Sequence, residues 1–135
     1  MSDLARVDTS LVDATEVVRV TGELDLSNAQ PLTEAIGQGI PEHVTLVVLD
    51  LAGTTFLDSA AIASLFRLGQ RLRDRRQDLR LVIPRQAPIR AVVELTRLDL
   101  VVPVDDSAPD LLHTTRAYAA LPPPVPDVTL RRGDG

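Results

Sequence analysis

The chain opens with two short runs in which apolar or β-branched residues alternate with polar ones, Leu4 to Ser10 and Thr15 to Gly22, separated by Leu11-Val12-Asp13-Ala14. A period of two puts alternate side chains on opposite faces of a strand, so the pair reads as a β-hairpin. The period then changes. Leu32, Ala35, Ile36 and Ile40 recur at helical spacing, and Ser27 with Gln30 three residues on marks a capping-box start. Pro31 falls in the first turn of that helix, where its missing N–H matters little. Val44 to Leu51 reads VTLVVLDL, a nearly continuous apolar run of strand length, as expected of a central strand covered on both faces.

Further along, Ile62, Leu65, Phe66, Gly69 and Leu72 line one face of a helix predicted from about Ser59 to Arg76. Leu79 to Ile83 is another strand, stopped by Pro84. Pro88 opens a helix over Ile89 to Thr96, Leu100 to Val104 is a last short strand, and Ser107 with Asp110 starts a final helix through about Ala120. Leu95, Leu98 and Leu100 are core candidates. From Pro122 the sequence PPPVPDVTLRRGDG predicts an extended or disordered tail, so residues 1–121 are expected to form the domain and 122–135 the tail.

Strands alternating with helices imply an α/β fold: a small, mostly parallel sheet of four to five strands with an N-terminal hairpin and four helices. If the strands at Glu16 to Val20 and Val44 to Leu51 are parallel, the loops leaving their carboxyl ends share one edge, where open α/β sheets place their sites. Those loops are Thr21 to Asp25 and Ala52 to Asp58.

Composition then removes several chemistries. The chain has no cysteine, and its 14 basic residues are all arginine. Disulfides, iron-sulfur clusters and thiolate zinc sites are therefore excluded, as is a P-loop, whose lysine reaches the phosphates. Asp50 fails as a phosphoaspartate for want of a lysine and of an acidic pair after the first strand, and reads as a strand-end residue bonded to its loop. A net charge of -5 and an aromatic share of 2% argue against nucleic-acid binding. No run of about 18 apolar residues and no signal-like start are present, so a cytoplasmic protein without membrane insertion is expected. With 44% hydrophobic residues in 135, one domain can bury a real core.

Asp58-Ser59 ends the second edge loop as a helix begins, which sets a hydroxyl among unpaired N–H groups at the positive end of a helix dipole. By themselves the two residues also fit a simple helix cap. The wider set does more. Thr21-Gly22-Glu23-Leu24-Asp25, Val47-Val48-Leu49-Asp50-Leu51, Phe56-Leu57-Asp58-Ser59-Ala60-Ala61-Ile62, Leu79-Arg80-Leu81-Val82 and Leu95-Thr96-Arg97-Leu98-Asp99, in that order and spacing, resemble the STAS domain over roughly residues 4 to 121, specifically the bacterial anti-sigma-factor antagonists.

The resemblance implies a non-enzymatic regulator with no cofactor and no metal. Ser59 becomes the residue phosphorylated by an anti-sigma factor with a GHKL-type serine kinase fold, and Asp25, Asp58, Ser59, Ala60 and Ala61 become partner-binding residues. The unphosphorylated form is then expected to bind the anti-sigma factor and free the sigma factor, and the phosphorylated form to let go. A serine phosphatase is a further expected partner, and a monomer or weak dimer the expected state. Ala61 departs from the family's usual glycine by a methyl group, which is expected to limit how closely a partner backbone approaches. A non-phosphorylated STAS adaptor beside a lipid-transport or other signalling complex is the alternative.

Other constellations weigh less. Arg67, Arg71 and Arg75, with Arg73, Arg76 and Arg80 nearby, are interleaved with Asp74 and Asp78 and read as the solvated back of a helix. His43 is expected at the edge opposite Ser59 and His113 in the last helix, too far apart for a metal site. Ser59 also lacks the G-x-S-x-G elbow of a serine hydrolase.

Overall fold

In the computed structural model, residues 5–106 are described. Asp13 and Ala14 turn the chain between β1 (Ala5–Val12) and β2 (Thr15–Leu24), whose antiparallel register runs from Ala5↔Gly22 to Val12↔Thr15. Asp13 takes a left-handed φ of 54° there, a conformation that aspartate tolerates better than most residues. The chain then alternates α1 (Ala29–Gly39), β3 (Leu46–Leu57), α2 (Ser59–Asp74), β4 (Asp78–Val82), α3 (Pro88–Leu95), a 3-10 turn at Leu98–Leu100 and β5 (Val104–Asp105). Strand order in the sheet is β1-β2-β3-β4-β5, parallel at every step after the hairpin. The expected α/β architecture is therefore present, with three α-helices among the described residues; the predicted helix from Ser107, and the tail, lie outside them.

Register explains the core. Glu16, Val47 and Leu79 stand side by side across β2, β3 and β4, and Val18, Leu49 and Leu81 form the next row of the same face. These rows, Glu16 excepted, join Ile36 of α1, Leu65 and Leu72 of α2, and Ile89 and Val93 of α3 in one buried cluster. Each fully buried aliphatic side chain of this kind contributes roughly 1.5–3 kcal/mol. The opposite face carries Arg19 and Asp50, 3.4 Å apart, and Arg80, which donates twice to Asp105 at 3.0 and 2.8 Å.

Helix ends correct several expectations. Asn28, not Ser27, is the N-cap residue of α1, and Ser27 with Gln30 forms no capping box; Ser27 is bonded to Asp25 instead. At the end of α2, Arg76 is left-handed (φ 63°), its N–H reaching Arg73 O at 2.9 Å while Gln77 N–H reaches Leu72 O at 2.8 Å, a Schellman closure built without glycine. Arg75 is not a solvated bystander: its guanidinium donates to the Gly37 and Ile40 carbonyls at 2.9 and 3.0 Å, closing the C-terminus of α1. The last strand is only Val104–Asp105, because Leu98–Leu100 coils first, leaving Leu98 buried and Leu95 and Leu100 exposed rather than in the core.

Candidate functional site

The two segments read as edge loops are largely strand. β2 continues to Leu24 and β3 to Leu57, paired through Thr21↔Gly53, Gly22↔Thr54, Glu23↔Phe56 and Leu24↔Leu57. Two register shifts, between Arg19 and Thr21 and between Gly22 and Glu23, each give β3 one extra residue. Asp50 thus lies inside a strand, where its Oδ1 accepts from the Ala52 N–H at 2.9 Å and steadies the first bulge. Buried Thr54 donates to the Val20 carbonyl at 2.8 Å across the same irregular stretch. Close approach requires glycine at Gly53, since a Cβ there would stand 2.6 Å from Thr21 Cγ2.

The extended strands deliver Leu24 and Leu57 side by side, so Asp25 and Asp58 leave the sheet together. Asp58 caps α2 from extended backbone: Oδ1 accepts from Ala61 N–H at 2.9 Å and Oδ2 from Leu26 N–H at 3.0 Å. One carboxylate therefore ties the start of α2 to the β2–α1 turn. Asp25 Oδ1 accepts from the Ser27 hydroxyl at 2.6 Å and the Ser27 amide at 2.9 Å. These two bonds, with a lesser one from Asn28, outweigh desolvation and hold the Asp25 carboxyl below its ordinary range. Asn28 completes the turn by accepting from the Asp25 N–H and donating to the Glu23 carbonyl, both at 2.9 Å.

Ser59 is the first residue of α2 and is exposed. Because Asp58 does the capping, the Ser59 hydroxyl bonds to no described residue. Ala60 is half-buried, but Ala61 is fully buried and part of the core cluster. Its methyl group points inward, so the extra carbon does not stand in the path of an approaching backbone. Leu26 and Phe56, 80% and 46% exposed, add apolar surface to this edge. A groove of about 420 Å³ starts at Ser59 and runs between α2 (Ile62, Ala63, Phe66, Arg67) and the segment Thr96, Arg97, Leu98 and Val101.

The remaining candidates fall elsewhere. His43 bonds through Nε2 to the Asp13 carbonyl at 2.9 Å, at the hairpin end of the sheet. His113 lies outside the described residues. Among the described residues no group of three or more His, Asp or Glu side chains is placed to hold a metal ion, and no helix is long and apolar enough to cross a membrane. Sequence reasoning passed over Glu16, which is buried beside Leu11 and Val47 and whose carboxyl burial pushes up to about 7. It also passed over Arg97, a left-handed residue (φ 64°) at the end of α3.

The sequence matches the STAS domain family over residues 1–111. An anti-sigma factor antagonist from Mycobacterium paratuberculosis shares the structure with a TM-score of 0.70 at 28% identity, over 86% of this chain and 97% of that one. The Bacillus cell fate determinant SpoIIAA, itself an anti-sigma factor antagonist, gives TM-scores of 0.57 unphosphorylated and 0.55 phosphorylated, at 18% and 19% identity. Those alignments cover 82% and 81% of this chain and 98% and 99% of SpoIIAA, a likeness of fold. No curated protein matches the sequence significantly.

Proposed function

Because the chain belongs to the STAS domain family, we propose that it is an anti-sigma-factor antagonist switched by phosphorylation of Ser59. Unmodified, it binds an anti-sigma factor that is also a GHKL-type serine kinase, and so frees the sigma factor. Modified, it is released, and a serine phosphatase returns it to the binding form. The observation that carries this reading is the exposed Ser59 hydroxyl, which bonds to no described residue because Asp58 takes over the cap.

The chemistry divides between the two proteins. Ser59 Oγ attacks the γ-phosphorus of ATP, the new O–P bond forms as the bond to the ADP oxygen breaks, and the hydroxyl proton passes to a base. Asp58 serves here as the cap and as the tie to the Leu26 turn, and in this reading the kinase supplies the base. Asp25, Asp58, Ala60, Leu26 and Phe56 offer the docking edge, and Ala61 supports it from within.

Release has an energetic source. A phosphoserine carries about -1.5 to -2 charges near neutral pH, and a helix N-terminus favours such an anion by about 0.3–1 kcal/mol. An unpaired charge inside a closed interface costs roughly 2–5 kcal/mol, which dominates. The reading is tested by intact mass of the wild-type chain and of Ser59→Ala after incubation with ATP and a lysate of the source cells. One phosphoryl group gained by the wild type alone is the expected result. No gain by either protein, while a related kinase in the same conditions modifies its own antagonist, refutes it.

A further inference from the structure

Resting on the reading of Ser59 as the modified residue, we propose that a phosphate on Ser59 turns into the groove between α2 and the end of α3, where the guanidinium groups of Arg97 and Arg67 hold it. Ser59, Ile62, Ala63, Phe66 and Arg67 form a single stripe at helical spacing along α2, facing Thr96, Arg97, Leu98 and Val101 across the groove. Among the described residues, the only charged side chains lining it are the two arginines, in a chain whose net charge is -5. Its walls are otherwise mostly apolar, which strengthens a charge pair relative to open water.

Each arginine is placed for the task. Arg67 stands on the rim of the groove, and among the described residues its guanidinium is held only by a long bond from Nη2 to Ser64 Oγ at 3.3 Å on the α1 side of the helix, a neutral partner that it exchanges for the phosphate dianion. Arg97 occupies the position just past the end of α3 where glycine is usual, with φ 64°, and its guanidinium pairs with no described residue. A left-handed backbone thus sets on the groove wall an arginine that pairs with no described residue. The amides at the start of α2 are a poorer home for the phosphate, since the Ala61 N–H is already taken by the Asp58 carboxylate. Guanidinium also matches phosphate by paired N–H donors.

The latch gives the switch a second arm. Captured in cis, the phosphate fills the groove mouth at Ser59 and neutralises the two cations there, so a partner loses both the space and the charge beside Ser59.

The experiment uses the full chain with phosphoserine encoded at position 59, followed by phosphorus NMR across pH. In the wild-type background the second phosphate ionisation is expected about one unit below its ordinary value of about 6, because cations nearby favour the dianion. In the combined Arg97→Gly and Arg67→Met variant it is expected to return to about 6. Arg97→Gly is itself expected to melt higher than the unmodified wild type, since glycine suits the left-handed backbone, which guards against misfolding as the explanation. An unshifted ionisation in the wild type overturns the latch. So does an equal lowering in the double variant, which assigns the effect to the helix terminus. Because the phosphate is installed without a kinase, a latch present in a protein that no kinase modifies refutes the proposed function alone.

Discussion

Replacing Asp58 by alanine removes two bonds with one side chain, and the structure allows the loss to be estimated. The bond from Ala61 N–H at 2.9 Å is an N-cap, whose removal typically costs about 1 kcal/mol. The bond from Leu26 N–H at 3.0 Å is charge-assisted but exposed, and about 1 kcal/mol is a fair net value. Asp58→Ala is therefore expected to lose about 2 kcal/mol, or roughly 6–10 °C in melting temperature for a domain of this size. Asp58→Asn keeps one acceptor oxygen and is expected to lose about half as much. Urea unfolding at pH 7 measures both, and amide hydrogen exchange resolves the parts: Leu26 and Ala61 should lose protection in the alanine variant, and only one of them in the asparagine variant. An alanine variant within about 0.3 kcal/mol of wild type, with Leu26 still protected, would refute the clamp.

Three further outcomes follow from the packing. Glu16 titrates near 7 when folded against an ordinary 4.5, so between those values the folded state holds the proton and stability falls as pH rises toward 8. Glu16→Gln should flatten that profile and stabilise the chain at pH 8 by about 1–3 kcal/mol, read by thermal melts across pH. Gly53→Ala should destabilise by about 1–2 kcal/mol through its clash with Thr21 Cγ2, and Thr21→Ala should recover most of it, a coupling that a double-mutant cycle in urea measures. Arg76→Gly, at the left-handed closure of α2, should raise stability by about 1 kcal/mol, and unchanged or lower stability in the same urea assay counts against that backbone assignment.

Much of the fold was legible because burial followed simple periods. Ile62, Leu65, Gly69 and Leu72 are the inward face of α2, and the run from Val47 to Leu49 is buried on both faces as its composition implied. The end of β3 was not legible. Its buried positions are Leu51, Thr54 and Leu57, a spacing of three that matches neither strand nor helix. Each bulge adds one residue and resets the alternation, and only the pairing with β2 reveals why. Glu16 shares its parity with Val18 and Val20, so its burial was present in the pattern, but a charge in a short strand reads more naturally as an exposed residue. Asp58 and Ser59 were visible as a helix start; that the aspartate caps while the serine bonds to no described residue depends on the Leu26 turn, which is 32 residues away in sequence. Arg97 carried no local signal, because nothing in an arginine announces a left-handed backbone.

The most direct measurement of the central claim is the equilibrium affinity of the cognate anti-sigma factor for the unmodified chain and for the chain carrying phosphoserine at 59, by calorimetry at a fixed salt concentration. Binding the modified form either takes the phosphate from its arginines or leaves it unpaired in the interface, and a cost of roughly 2–5 kcal/mol corresponds to binding weaker by about 30-fold to several thousand-fold. Equal affinities for the two forms would contradict the switch at Ser59.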